Sequence, residues 1–344
     1  MVTTVLTLLL IPCSVRSTGS YMNNGRYSLG IDTSNYKTSV AVTDEKNNII
    51  FSKSEFLEVE HGARGLRQSV AFFKHVNVLP SFIDDALSAV NPDEIGCIAV
   101  SEAPRRLAGS YMPVFAAGVD AARLISSSLQ IPLFKFSHQE GHVSAVLHSF
   151  PDERLDGKIL FFHLSGGTTE ALLTEIEDSH YNLQIIGGTR DISVGQLLDR
   201  TGVALGYDFP AGRYLDNLSC DRGYDGSRLL SKIKVTDGWF NLSGTEFQVM
   251  KSIADSGDEV VPELLERISI LLCDAACMLA DKFAIDRVYM AGGVSSSQYF
   301  RMRSRALNAH ERFEMRFGLP ELSGDNAVGI ALLGGRALCE KGNR

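Results

Sequence analysis

The residues with the most chemical promise lie in Ser137-His-Gln-Glu-Gly-His142, where His138 and His142 stand four positions apart. On a helix that spacing sets both imidazoles on one face, about 5–6 Å apart at Cβ, which suits a single metal ion. Glu140 sits at the third position of the motif, so this is not His-Glu-x-x-His, and its carboxylate falls off the face on which a zinc protease needs its base. An i,i+4 histidine pair also arises on ordinary helix surfaces, so a third ligand has to decide the matter. Ser323-Gly-Asp-Asn-Ala327, at the start of the last apolar helix, offers one: Asp325 either caps that helix or points out of the turn as a carboxylate ligand. Cys273 and Cys277 share the same spacing, but inside the apolar run ISILLCDAACMLA they read as core.

Three further segments could cradle phosphate. Ser34-Asn-Tyr-Lys-Thr38 and Ser165-Gly-Gly-Thr-Thr169 each place a small polar turn between two β-rich runs, and Val288-Tyr-Met-Ala-Gly-Gly-Val-Ser295 is a buried-type strand that ends in Gly292-Gly293 and opens a helix. Glycine and hydroxyl side chains leave backbone N–H groups uncovered, so phosphate oxygens or a nucleotide can approach closely. Singly, each also reads as an ordinary hairpin or strand-to-helix link. Trp239 and Phe240 have the shape to stack on a base, with packing beneath a loop as the plainer reading.

Positioning these groups takes a sizeable fold. The 344 residues suit about two domains at ~100–200 residues each. With 44% hydrophobic and 22% charged residues, the composition excludes collagen, coiled coil and a disordered chain. Lys and Arg number 33 against 41 Asp and Glu, a net charge of −8, so no overall basic field draws in nucleic acid; an RNA substrate needs a local patch or a partner. Six scattered cysteines without a Cys-x-x-Cys pair fit a reducing, cytoplasmic setting. The apolar run Val5–Ile11 is too short to span a membrane, and the first positive charge, Arg16, follows it. Residues 1–25 are therefore read as a non-native or disordered extension upstream of a start near Met22.

From there the pattern predicts strands 28–32, 38–43 and 48–52, a helical stretch 66–90 broken at Pro80, strand 97–101, helix 113–129, strand 131–136 and helix 138–149. After a polar boundary at 151–157 the order returns: strands 158–165, 169–176 and 181–187, a helical insert over 193–257, helix 259–284, strand 287–291, helix 296–309, strand 313–317 and helix 325–340. The expectation is an α/β protein of two βββαβαβα domains, 26–150 and 151–344, around a cleft.

That organisation resembles the duplicated actin-like ATPase (ASKHA) fold of sugar kinases and large chaperones, whose paired hairpins clamp phosphate and whose third turn holds adenosine. A narrower resemblance rests on HQEGH (138–142), LSGGTTE (164–170), GQLLDRTGVALGYDFPAGRYLD (195–216), LSG (242–244), MAGGVSS (290–296) and GDNA (324–327), in order and spacing. These are similar to the tRNA N6-adenosine threonylcarbamoyltransferase family, TsaD, formerly called O-sialoglycoprotein endopeptidase or glycoprotease, over about residues 27–340. The resemblance implies metal-assisted transfer of a threonylcarbamoyl group from threonylcarbamoyl-adenylate to N6 of the adenosine 3′ of the anticodon in tRNA. One divalent metal, iron or zinc, an adenine nucleotide or adenylate ligand, tRNA and other pathway subunits come with it, and no membrane.

Carried over residue by residue, His138, His142 and Asp325 match the metal ligands. His163, Leu164, Ser165, Gly166, Gly167, Asp199, Gly212 and Asp216 match substrate-binding positions, with Gly292, Gly293 and Ser297 at the adenosine turn. The chain departs from the pattern at four places. The acidic pair after the first Thr-Ser is Tyr36-Lys37, Gly-Pro-Gly is Ala103-Pro104-Arg105 followed by Arg106, the Ser-Gly-Gly-His-Thr histidine is Thr168, and the adenosine-turn asparagine is Ser297. Lys37 is a candidate phosphate contact in the catalytic turn, and Arg105 and Arg106 are candidate contacts to RNA or adenylate, each otherwise a solvated charge. The departures mark a diverged paralogue. The competing expectation is a catalytically silent nucleotide- or adenylate-binding subunit; a sugar-kinase-type phosphotransferase comes third, with the HQEGH motif against it.

Overall fold

The computed structural model describes residues 25–34, 36–59, 66–107, 109–151, 157–177, 180–308 and 313–342; the extension expected over 1–25 lies outside them except for Gly25. Among the described residues, the first half forms β1 (Tyr27–Asp32), β2 (Lys37–Asp44), β3 (Ile49–Phe56), α1 (Gln68–Ala89), β4 (Ile95–Ala103), α2 (Ala116–Leu129), β5 (Leu133–Ser137) and α3 (His138–Leu147). The strands lie in the order β3-β2-β1-β4-β5, with β1, β2 and β3 antiparallel and β4 and β5 added parallel.

The second half repeats this as β6 (Gly157–Leu164), β7 (Thr169–Glu177), β8 (His180–Thr189), then α4 (Val194–Ala204), α5 (Gly212–Arg222), β9 (Trp239–Phe240), α6 (Ser243–Ser256), α7 (Val260–Phe283), β10 (Arg287–Ala291), α8 (Gln298–Leu307), β11 (Glu314–Phe317), the single turn α9 (Pro320–Ser323) and α10 (Val328–Gly342). Its sheet order is β11-β10-β6-β7-β8-β9, so the three-antiparallel, two-parallel frame recurs.

Two local expectations are corrected. Pro80 does not break α1, which runs through it. Pro80 and Val76, whose carbonyl loses its helical donor, are both exposed, so the unpaired carbonyl lies on the side of the helix open to solvent. The helical insert also carries β9, which pairs Trp239 and Phe240 with Gly188 and Thr189 of β8. A two-residue strand has no periodicity to read.

The helices that end each half cross over. α10 lies on the first sheet, where a Cβ on Gly334 would stand 2.6 Å from Ala99 Cβ and one on Gly30 would stand 2.5 Å from Ala331 N. α3 packs on the second sheet, with Val143, Val146 and Leu147 in one core with Ile159, Phe161 and Tyr289. α3 and α10 meet at Gly141 and Gly329, where a Cβ on Gly329 would collide with the Gly141 carbonyl. The N-termini of both helices are thereby brought together at the junction of the halves. Among the described residues, no helix is long and apolar enough to cross a membrane.

Candidate active site

α3 begins at His138 because Ser137 caps it. Ser137 Oγ accepts from Glu140 N at 3.3 Å, and the Glu140 carboxylate accepts from Ser137 N at 2.7 Å and Ser137 Oγ at 2.8 Å. Glu140 also accepts from Arg106 Nε at 3.2 Å, so it is spent on structure, as its position off the histidine face implies. His138 and His142 project together, with their Nε2 atoms 2.9 Å apart. His138 Nδ1 meets Asp32 Oδ2 at 2.7 Å, at the end of β1, which turns Nε2 toward the cluster. Asp325 Oδ1 lies 3.5 Å from His138 Nε2 and 3.3 Å from His142 Nε2.

Whether Asp325 caps α10 is decided by its neighbour. Asn326 Oδ1 accepts from Val328 N at 3.0 Å, while its amide donates to the Leu322 and Gly324 carbonyls at 3.1 and 2.7 Å. With the cap supplied by Asn326, Asp325 turns toward the histidines. Neither Asn326 nor Asp32 was picked out from sequence, although a lone acid closing an apolar strand was a signal for Asp32.

Burial lowers the proton affinity of His138, but the charge and hydrogen bond of Asp32, joined by Asp325, outweigh it and lift the imidazole to about 10. Burial and the His138 charge push His142 down. Burial raises Asp325, yet its contacts with both histidines hold it well below the usual carboxylate range. One imidazolium thus faces two carboxylates. Two imidazole nitrogens and one carboxylate oxygen converge at 2.9–3.5 Å. Ligands bonded to one ion at about 2.0–2.2 Å stand roughly 2.9–3.4 Å from each other, so this set fits a divalent cation. Its nitrogen-rich donors suit zinc or iron better than magnesium or calcium. A third buried ring, His163, completes a group of three imidazoles whose ligand atoms all lie within 4.8 Å of one another.

The turn that follows His163, the start of α5 and the turn after β10 each carry glycines with open space beside them. A Cβ on Gly167, Gly212 or Gly293 would meet nothing within 4 Å, and one on Gly166 only Asp199 Oδ2 at 3.9 Å. None of these four is held by packing, unlike Gly292, whose φ is +89° and whose Cβ would strike the Leu164 backbone. The Leu164 side chain is itself in the core. Ser165 closes its own turn: its N donates to the Thr168 carbonyl at 2.7 Å and its Oγ accepts from Thr168 N at 3.0 Å. Burial lifts Asp199 to about 6, against the pull of the Ala211 and Gly212 amides on its carboxylate. Asp216, matched above to a substrate position, accepts from Ser297 Oγ at 2.5 Å, Gln298 N at 2.9 Å and Tyr299 N at 3.1 Å, and so fastens the start of α8 below the Gly292-Gly293 turn.

Lys37 opens β2 with its Nζ 5.0 Å from the Phe56 ring centre. Burial lowers its proton affinity and the Asp325 charge raises it. Tyr36 sets its ring edge-on to Phe209, 5.4 Å away across the cleft. Arg105 and Arg106 are paired: partly buried Arg105 donates to Glu170, which also accepts from Gln139, and Arg106, itself exposed, pairs with the buried Glu140 at 3.1 Å. Phe240 is buried, and Trp239 packs beneath Arg190, 5.6 Å from its guanidinium carbon.

A sequence model of the family TsaD, tRNA N6-adenosine threonylcarbamoyltransferase, matches residues 50–332. Proteins named tRNA N6-adenosine threonylcarbamoyltransferase from Dictyoglomus turgidum and Sulfurihydrogenibium sp. are each 29% identical, over 327 and 324 residues, covering 89% of this chain and 92% of the first relative, and 91% of both chains for the second. Among solved structures, HypF of T. kodakarensis aligns at 14% identity and TM-score 0.62, over 92% of this chain and 48% of its own. Component A of (R)-2-hydroxyglutaryl-CoA dehydratase from Acidaminococcus fermentans aligns at 14% and 0.54, over 91% and 99%. A ROK family glucokinase from Streptomyces griseus, in complex with glucose and AMPPNP, aligns at 12% and 0.51, over 90% and 99%. At such identities the likeness is one of fold: the duplicated actin-like architecture.

Proposed function

The chain belongs to the tRNA N6-adenosine threonylcarbamoyltransferase family, and from that premise we propose that it transfers a threonylcarbamoyl group from threonylcarbamoyl-adenylate to N6 of the adenosine 3′ of the anticodon in tRNA. The observation that carries this reading is the convergence of His138, His142 and Asp325 at the junction of the halves. Those three residues would hold one divalent metal, zinc or iron, which when bound supplies a Lewis acid for an acyl or phosphate oxygen.

The protein's own groups account for binding and orientation. The adenine of the adenylate lies against Gly292-Gly293 and its phosphate toward Ser165-Gly166-Gly167, where backbone can approach it. Lys37 offers the phosphate a cation, and the Asp199 carboxylate, whose Oδ1 accepts from Ala211 N at 2.9 Å, offers an acceptor to a substrate hydroxyl. Asp32 positions His138, and Asp216 positions the adenosine turn through Ser297. In the reaction the N6 nitrogen forms a bond to the carbamoyl carbon, the bond from that carbon to the adenylate oxygen breaks, AMP leaves with the electron pair, and N6 gives one proton to solvent. Uncovered amides near Gly166 and Gly167 stabilise the oxyanion between those events.

Net charge −8 and the pairing of Arg105 and Arg106 with glutamates leave tRNA to be held with partner subunits of the same cytoplasmic pathway. The test is incubation of purified protein with threonylcarbamoyl-adenylate, tRNA and the companion pathway proteins, followed by nucleoside analysis. Appearance of N6-threonylcarbamoyladenosine is the expected result. Adenylate binding without product would assign the chain instead to the silent-paralogue class.

A further inference from the structure

His163 takes no hydrogen bond at either ring nitrogen, though both nitrogens are fully buried and the residue is 2% exposed. It is the next-to-last residue of β6, a strand flanked on both sides, in register with Ala291 of β10 and Glu170 of β7. The neighbouring strand residues Phe161, Phe162 and Leu164 are apolar and buried. In such a strand a leucine fills the space without leaving two polar atoms unsatisfied, so the histidine is a loss to stability unless something binds it. Strand alternation puts His163 on the same face as Phe161, the face that packs on α3. Its ring centre consequently lies 4.3 Å from that of His142 and 6.0 Å from that of His138.

We propose that His163 is a third imidazole ligand of the metal held by His138, His142 and Asp325, giving this chain a three-histidine, one-carboxylate centre rather than a set of two histidines and one carboxylate. The inference rests on the metal reading above. It moves His163 from the substrate-binding stretch, where resemblance alone puts it, to the floor of the site. Ligand atoms within 4.8 Å of one another across the three rings need only small rotations to share one ion. A third imidazole also narrows the choice of ion toward zinc, iron(II) and cobalt(II) and against calcium and magnesium. Nothing else among the described residues offers the two His163 nitrogens a partner.

The test uses the full chain loaded with Zn(II) and, in parallel, with Co(II). X-ray absorption of the wild-type protein should count three imidazoles on the ion. His163→Leu should bind Co(II) with an altered visible spectrum and an affinity on the order of 10–100-fold weaker by chelator competition. The metal-free variant should melt higher than metal-free wild type, because two unsatisfied buried nitrogens are gone. Two imidazoles in the wild-type absorption fit overturn the proposal without any variant, so a poorly folding His163→Leu does not shelter it. Unchanged affinity and an unchanged cobalt spectrum in the variant overturn it alone, leaving the two-histidine site intact. Failure of the wild type to bind either ion overturns it together with the metal half of the proposed function.

Discussion

In the first half of the molecule the turn from β1 to β2 is built from side chains: Asp32 accepts from Ser34 N at 2.7 Å with one oxygen and orients His138 with the other, and Tyr36 and Lys37 follow. In the second half the equivalent turn, from β6 to β7, is built from backbone, closed by Ser165 and Thr168 around two glycines with nothing over Gly167. Duplication sets both turns at the same place relative to their sheets, so topology does not distinguish them. The difference teaches that one copy has become a charged wall tied by side chains to the histidine cluster, and the other a bare wall of backbone, the one to which the proposed function assigns the adenylate phosphate.

The comparison breaks most decisively at the charged wall. Replacing His138 and His142 together with Ala should take bound metal from one ion per chain to none in elemental analysis; full retention would place the site elsewhere. On the bare wall, two adjacent glycines should part company. Gly292→Ala puts a Cβ into the Leu164 backbone at a φ of +89° and should destabilise by about 2–4 kcal/mol in denaturant melts. Gly293→Val meets open space and should leave unfolding unchanged while weakening ADP binding about tenfold or more by calorimetry. Equal stability losses at the two positions would erase the distinction between packing glycine and ligand glycine.

Lys37→Glu sharpens the contrast from the charged side. It exchanges a cation for an anion near Asp325 and should weaken ADP binding by roughly tenfold, about 1.4 kcal/mol, with a smaller loss at high salt. If the divergence of the turn resides mainly at this position, the variant also raises transfer. Unaltered ADP affinity would remove Lys37 from the phosphate site.

The smallest effect concerns Asp199, whose carboxyl keeps its proton up to about 6 in the folded chain against a usual 3.8. Between those pH values the folded state binds a proton that the unfolded state has released, so this group's contribution to stability falls as pH rises through the window and is level above it. Asp199→Asn should flatten that part of the stability profile, and an unchanged slope would show that the carboxylate is not held in the way described.

Much of this was legible because it is local. β10 occupies 287–291 as expected, and the second pass of three strands was visible because alternation and polar turns recur in the same order. The i,i+4 spacing of His138 and His142 carries over into a shared direction because a helix guarantees it. Where expectation failed, the deciding factor was distant in sequence. α1 runs through Pro80 with that proline on its solvent face, and Arg105 and Arg106 pair with Glu170 and Glu140, which no local pattern links to them.

By itself the sequence determined the repeated order of elements, the histidine pair, the glycine turns and a carboxylate at the head of the last helix, since each is a matter of residue type and near-neighbour spacing. Only the tertiary structure decided which of these meet. Asp32 reaches His138 across 106 positions because the end of β1 and the start of α3 meet at the junction of the halves. Asp325 turns inward because Asn326 takes over the cap and because Gly141 and Gly329 let α3 and α10 touch. His163 joins them through the pleat of β6 beneath α3. Packing of crossed helices on two sheets, rather than any spacing along the chain, draws these groups into one buried cluster, because the cost of leaving their polar atoms apart and unsatisfied is felt only once the surrounding core has excluded water.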